Sequence, residues 1–264
     1  MLESPKWKSR VKSEMCAENG VFMKKMKCRA MIAGLAVVLL AGVTARTAAG
    51  FSAPRTLNWT LDTSRTPELK QWAETKLKAA VNQWYPVWVD CLASNGFAAP
   101  THFTITIKPM EGVAATSGTD VEVSESWIKG QIAQPGNWNE AVGSVIHELV
   151  HVVQQYGNDK PHTAATPIWL MEGIADYFRW FHYEPVAHRP KMTAQDGATA
   201  HYTDSYQTTA GFLEYVCKNH NHEFVIRMNA ALREHRYSPN LWINYTGMSV
   251  ENLWKAYVAS LPQR

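Results

Sequence analysis

The sequence has few cysteines, and those it has form no recognisable metal motif. Of its 4 cysteines, Cys16 and Cys28 lie near the N-terminus, whereas Cys91 and Cys217 lie far apart in the remainder. The lack of any CxxC pair or Cys/His cluster excludes a thiolate site of the zinc-finger kind. The spacing of Cys91 and Cys217 leaves two possibilities open, a disulfide in an exported protein or two buried thiols.

A basic excess is also missing from most of the chain. Of its 26 Lys and Arg and 23 Asp and Glu residues, 8 and 3 fall in residues 1–45. The rest therefore holds 18 basic and 20 acidic side chains, a formal charge of −2. Without a basic patch, neither nucleic acid nor an anionic membrane surface is indicated as a partner.

Long hydrophobic runs are absent too. The apolar segment MIAGLAVVLLAGV at 31–43 is shorter than the roughly 20 helical residues that span a bilayer. It follows the lysine-rich MKKMKCRA and precedes the small residues of TARTAAG, which is the order of a signal peptide. We predict that residues 1–49 are an N-terminal extension and signal peptide. The mature protein would then be secreted or periplasmic, with no stable membrane anchor after cleavage.

Residues 50–264 contain no internal repeat and no linker rich in Pro or Gly, so we expect a single domain and, by default, a monomer. Helical spacing of apolar residues predicts a helix over 66–94. The alternating HFTITIKP at 102–109 predicts a strand, and 113–127 predicts one or two more. The following patterns are mostly helical, which indicates an α+β fold with a small sheet and a helical C-terminal half. These helices are predicted at 138–156, 168–182, 205–219, 222–235 and 249–260.

The segment VGSVIHELVHVVQQYG at 142–157 is apolar almost throughout but holds the polar motif HELVH. On a helix, His147 and His151 share one face a turn apart, so both imidazoles can bind one cation. Glu148 would lie beside the cation, within reach of a water bound to it. This is the HExxH pattern of zinc proteases, in which zinc activates the water and the glutamate takes its proton. A chance match on a solvated helix face is disfavoured because the neighbouring residues are apolar.

The third ligand separates the classes of HExxH protease. A metzincin would continue as HExxHxxGxxH or HExxHxxGxxD. Here Gln154 stands where glycine is needed and Gly157 where histidine or aspartate is needed. The sequence is therefore inconsistent with a metzincin.

A glutamate from a second helix is the alternative third ligand. The segment WLMEGIADYFRWF at 169–181 supplies Glu172 and, four residues later, Asp176. We predict that Glu172 is the third ligand and that Asp176 accepts an N–H from a ligand histidine and fixes its tautomer. His162 and His182 are rival ligands, although neither lies at a recognised spacing.

Together these segments resemble the basic secretory protein family of plant and bacterial zinc peptidases. HELVHVVQ at 147–154 matches the family's HExxHxxQ, and WLMEGIADYFR at 169–179 matches its EGIADY and the aromatic residues after it. SYQTTAGFLEYV at 205–216 and LWINYTGMSVENLWKAYV at 241–258 are similar to its later segments. The resemblance covers roughly residues 55–260.

The resemblance implies a zincin-like metallopeptidase domain of the gluzincin type, with an active-site cleft between a mixed sheet and helices. It also implies that Zn²⁺ is the cofactor. By matching positions, His147, His151 and Glu172 would be the zinc ligands and Glu148 the catalytic base.

A further donor is expected for the oxyanion that forms when water attacks a peptide carbonyl, commonly a tyrosine or histidine. Tyr206 is our first candidate because it opens the helix in the family-like segment at 205–216, with His201 and Tyr202 as rivals. The aromatic residues after EGIAD are predicted to be helix core rather than a cleft wall. They are Tyr177, Phe178, Trp180, Phe181 and Tyr183.

These patterns predict a secreted zinc metallopeptidase that acts on a peptide or protein substrate. One alternative is a catalytically silent secreted module that binds a protein or glycan on a zincin scaffold. Another is an accidental motif that binds no metal. The presence of Glu148 favours the enzyme, because binding alone gives no reason for a base at that position.

Overall fold

The computed structural model describes residues 57–156 and 166–263. The predicted signal peptide in residues 1–49, the rival ligand His162 and the metzincin position Gly157 lie outside the described residues. The domain boundary predicted at residue 50 therefore stays a prediction.

Four strands form one mixed sheet: β1 (Asn58–Asp62), β2 (His102–Lys108), β3 (Ala114–Ser117) and β4 (Asp120–Ser124). Their order is β1-β2-β4-β3, with β1 and β4 parallel to β2 and β3 antiparallel to β4. The alternation of β2 turns Phe103, Ile105 and Ile107 into the core. β3 is left at one edge of the sheet.

A continuous helical segment lies between β1 and β2, close to the predicted 66–94. It begins with a 3₁₀ turn (Pro67–Leu69) and α1 (Lys70–Trp72), and continues through a π-helical stretch (Ala73–Leu77) into α2 (Lys78–Cys91). The apolar spacing of α2 buries Val81, Tyr85 and Trp88.

Helices dominate the chain after β4, as predicted. None of the helices in residues 57–156 and 166–263 combines the length and the apolar composition of a membrane-spanning helix. The π-helical turn Arg179–Tyr183 continues α5, and a 3₁₀ turn follows at Val186–His188. The helices are α3 (Glu125–Ile132), α4 (Trp138–Gln154), α5 (Ile168–Phe178), α6 (Ala194–Gly197), α7 (Tyr206–Asn219), α8 (Phe224–Arg233), α9 (Asn240–Thr246) and α10 (Val250–Ser260).

The central helix is α4, which contains HELVH. It packs against α2, α3 and α5 and against β3 and β4 of the sheet, so it is covered on most sides. Its apolar residues Val142, Val145, Ile146, Leu149, Val150, Val152 and Val153 are all fully buried. α5 packs in turn against α7, which places the start of α7 near α4.

The predicted α+β class, with a small mixed sheet and a mainly helical C-terminal half, is confirmed. The prediction of strand as far as residue 127 is wrong, because α3 begins at Glu125. Ser124 caps α3 by accepting a hydrogen bond from the backbone N–H of Trp127, which ends the strand. β1 and the helices α3, α6 and α9 were not predicted.

Of the two possibilities for Cys91 and Cys217, the structure shows the second: both are buried thiols, and they form no disulfide with each other. Burial raises the pKa of the Cys91 thiol to about 12 and that of Cys217 to about 11. Both therefore behave as small core side chains rather than nucleophiles.

Candidate metal centre

Three side chains from two helices converge at one point. Nε2 of His147 lies 3.1 Å from Nε2 of His151 and 3.1 Å from Oε2 of Glu172. Nε2 of His151 lies 3.3 Å from the same carboxylate oxygen. Bonds of about 2.0–2.1 Å in a tetrahedral shell require ligand atoms about 3.3 Å apart. The triangle therefore has the size of one face of a tetrahedral metal shell, and these three residues could hold a metal ion.

The other ring nitrogen of each histidine has its own partner. Nδ1 of His147 lies 2.7 Å from Oδ1 of Asp176, and Nδ1 of His151 lies 2.6 Å from Oε1 of Gln154. Both partners are acceptors, so each Nδ1 carries the proton and each Nε2 presents a lone pair. Two lone pairs and a carboxylate oxygen this close together require a positive charge between them.

The acid–base properties of the site agree with that requirement. Burial acts to lower the pKa of His147, but hydrogen bonds to Asp176 and Glu172 outweigh it and raise this pKa to about 10. Burial acts to raise the pKa of Glu172, but hydrogen bonds from His147 and His151 lower it to about 2. The donor set thus stabilises a cation, either a proton or a metal ion.

Glu148 lies beside the triangle and is 8% exposed. The hydroxyl of Thr116 on β3 donates to its Oε2 at 2.7 Å and also lies 3.2 Å from its backbone carbonyl oxygen. The carboxylate is therefore held from the edge strand of the sheet. Thr116 was missed by sequence reasoning, because nothing in AATS indicates that the strand faces the helix carrying HELVH.

These groups line one open cavity of about 300 Å³. The edge strand β3 forms one side of it, and α4, α5 and the start of α7 form the rest. The lining residues are Ala114, Ala115, Thr116, His147, Glu148, His151, Gln154, Gln155, Tyr156, Met171, Glu172 and Tyr206.

Of the three predicted oxyanion donors, Tyr206 is the one that lines this cavity. It is the first residue of α7, and its ring stacks on His147 with centroids 6.1 Å apart. Partial burial, together with the negative charges of Glu172, Asp176 and Glu148, raises the pKa of its phenol. The alternative oxyanion donors His201 and Tyr202 do not line the cavity, because both rings pack against Trp254.

His182 is part of the core rather than the metal site. Its ring packs against Trp88, Tyr177 and Phe178, and burial lowers its pKa to about 3. The rings of Tyr177, Phe178, Trp180 and Tyr183 are likewise buried and Phe181 is half-buried. None of the five lines the cavity, which confirms the prediction that this aromatic stretch is mainly core.

The sequence identified Gln154 as inconsistent with a metzincin and as the last residue of the HExxHxxQ motif, but its contact with His151 was missed. The two lie three residues apart on one helix, so they share a face, and this spacing could have revealed the contact.

A family model for the basic secretory proteins, described as peptidase of plants and bacteria, matches residues 71–257. Comparisons with curated proteins and with solved structures found no match. The matched range contains the candidate metal centre. The chain therefore belongs to the basic secretory protein family, the peptidases of plants and bacteria.

Proposed function

We propose that the chain is an exported zinc metallopeptidase with a zincin-like domain of the gluzincin type. His147, His151 and Glu172 would bind one zinc ion, and Glu148 would act as the general base in peptide hydrolysis. The observation that carries this proposal is the triangle of three ligand atoms 3.1–3.3 Å apart beside a buried carboxylate.

Zinc suits this donor set because two imidazoles and one carboxylate form a common set in catalytic zinc sites, which leaves one position open. When bound, the ion would act as a Lewis acid that polarises water and the substrate carbonyl. Asp176 and Gln154 support its binding by holding a proton on each Nδ1, which makes Nε2 the nitrogen that can bind the ion.

The remaining groups have roles that follow from their chemistry. Glu148 would accept the proton of the attacking water and pass it to the leaving amine. The Thr116 hydroxyl keeps the Glu148 carboxylate in place for both transfers. Tyr206, whose raised pKa keeps its phenol protonated, would donate a hydrogen bond to the oxyanion.

A peptide or protein substrate is supported by the edge strand. The backbone N–H of Ser124 donates a hydrogen bond to the backbone carbonyl of Val113, so Val113 directs its backbone polar groups towards β4. By the antiparallel alternation, the N–H and C=O groups of Ala114 and Thr116 turn away from β4. Both residues line the cavity, so an extended peptide could pair with them as an added strand.

The test compares the wild type with Glu148→Gln on a mixed peptide library, with zinc content measured on the same samples. The wild type should hydrolyse peptides and lose this activity in a chelator. Glu148→Gln should keep its zinc and lose at least about 100-fold in kcat, because it lacks the general base. The matched control is Glu74→Gln, at an exposed glutamate of the first helical segment, which should keep full activity.

Hydrolysis retained in Glu148→Gln would refute the mechanism. A wild type that binds zinc and cleaves no peptide would instead support a silent binding module.

A further inference from the structure

Gln154 is the last residue of α4 and is 1% exposed. Its side chain makes two hydrogen bonds in opposite directions. Oε1 lies 2.6 Å from Nδ1 of His151, and Nε2 donates to the backbone carbonyl of Met171 at 3.0 Å. A buried amide with both ends engaged has one orientation and little freedom to turn.

The Met171 contact determines which end of the amide faces His151. A carbonyl oxygen only accepts, so the NH₂ group of Gln154 must point to Met171 and its oxygen to the imidazole. His151 must then donate from Nδ1, so in the neutral ring Nε2 is the nitrogen with the lone pair, and it is aimed at the other ligand atoms. The amide thus selects the tautomer that can bind a metal ion.

The same contact connects the two helices of the site. Met171 directly precedes Glu172 in α5, so Gln154 connects one ligand to the backbone beside another. Gln154 is itself held, because its backbone carbonyl accepts from Nε of Arg233 at 3.1 Å. The adjacent Val153 carbonyl accepts from Nη2 of the same arginine at 2.9 Å. The positioning group is therefore anchored at both its side chain and its backbone.

We propose that Gln154 is a positioning residue that sets the metal affinity of the site by orienting His151. It does for His151 what Asp176 does for His147, but with a neutral amide in place of a carboxylate. This inference rests on the proposed zinc site and assigns it a residue that acts through His151 rather than as a ligand of the ion.

The experiment measures zinc affinity, by competition with a chromophoric chelator, for the wild type and three variants. Gln154→Ala should bind zinc about 10–100-fold more weakly, the usual effect of losing a partner of a ligand histidine. Gln154→Glu should recover most of that loss, because a carboxylate oxygen can still accept the proton of Nδ1. Gln134→Ala is the matched control, because this exposed side chain donates to the backbone carbonyl of Gly130 in α3, outside the cavity, and its zinc affinity should be unchanged.

Thermal melts of the metal-free proteins, read by circular dichroism, confirm that each variant is folded before its affinity is compared. Two results would overturn the inference while leaving the zinc site in place. One is wild-type affinity in Gln154→Ala, and the other is a Gln154→Glu protein as weak as the alanine variant, which would assign the effect to the Met171 contact. A wild type that binds no zinc would overturn the proposed function and the inference together.

Discussion

At the scale of single residues, the site is organised so that each polar group of HELVH has a specific partner. Asp176 is bound to His147, Gln154 to His151, and Thr116 to Glu148. A buried polar group without a partner costs about 1–3 kcal/mol, so these contacts explain how HELVH is tolerated in α4, whose aliphatic residues are fully buried. The same contacts direct the two Nε2 atoms towards Glu172.

The position of Tyr206 leads to a prediction about catalysis. Tyr206→Phe should lower kcat about 100–1,000-fold, the usual effect of losing one oxyanion donor, with little change in KM or zinc content. Tyr202→Phe is the matched control, because that ring packs against Trp169 and Trp254 outside the cavity, and it should keep full activity. Steady-state kinetics on a cleaved peptide measure both. Wild-type kcat in Tyr206→Phe would exclude Tyr206 as the donor.

A second prediction concerns Glu184, away from the metal site. Its side chain is 1% exposed, accepts a hydrogen bond from Asn139 and lies 3.5 Å from His188. Burial raises its pKa from 4.5 to about 7. Between about pH 4.5 and 7 the folded protein therefore holds a proton that the unfolded chain has lost, so stability falls as pH rises through this window.

Glu184→Gln cannot ionise and should escape this loss. Its Tm relative to that of the wild type should therefore rise from pH 5 to pH 8, because the wild type loses at most about 3 kcal/mol of unfolding free energy over this range. Thermal melts across this range measure the difference, with the exposed-site variant Glu251→Gln as control. A constant difference in Tm between wild type and Glu184→Gln would contradict the prediction.

At the scale of elements, the packing of α5 against α7 brings Tyr206 over His147. This close packing of the two helices depends on Gly173, the glycine of EGIAD. A Cβ at this position would lie 2.1 Å from Cγ2 and 2.6 Å from Cβ of Thr209 on α7, closer than real atoms approach. The glycine is therefore needed for close contact between two helices, although glycine normally weakens a helix.

Gly173→Ala should separate α5 from α7, reduce the free energy of unfolding by about 1–3 kcal/mol and lower kcat by displacing Tyr206. Gly130→Ala in α3 is the matched control. Nothing lies within 4 Å of a Cβ there, so this change should be neutral or stabilise by about 0.5–1 kcal/mol. Chemical denaturation and kinetics test both variants. A Gly173→Ala protein as stable and active as the wild type would refute this role.

The elements also show how far the sequence could predict the site. His147, His151 and Glu148 share one helix, so a period of 3.6 residues was enough to place them together. Glu172 and Asp176 could be added because they share a second helix, and the segment between the two helices is long enough to bring the second one back beside the first. Thr116 could not be found in this way, because its contact with Glu148 depends on β3 being the edge strand. β1 was missed because NWTLD is short and none of its residues is fully buried, so its strand structure depends on pairing with β2.

At the scale of the whole molecule, the proposed zinc ion would join two helices, α4 and α5, that are separate segments of the unfolded chain. α4 contributes two ligands and α5 one, so binding should favour the folded state over the unfolded chain. At a free zinc concentration 100 times Kd, the stabilisation would be about 2.7 kcal/mol. For a domain of this size that corresponds to a rise of about 5–10 °C in Tm.

Scanning calorimetry with zinc and with a chelator measures this rise. The wild type should show it, and His151→Ala should not. An equal Tm for the wild type in both conditions would contradict metal binding to the folded protein.

The zinc content of the purified protein tests the proposed site most directly. Plasma mass spectrometry after dialysis should find about one zinc ion per wild-type chain, as expected for a single three-ligand site. His151→Ala, shown to be folded by circular dichroism, should retain far less. A wild type without stoichiometric zinc, or a His151→Ala protein with as much zinc as the wild type, would contradict the assignment of His147, His151 and Glu172 as the zinc ligands.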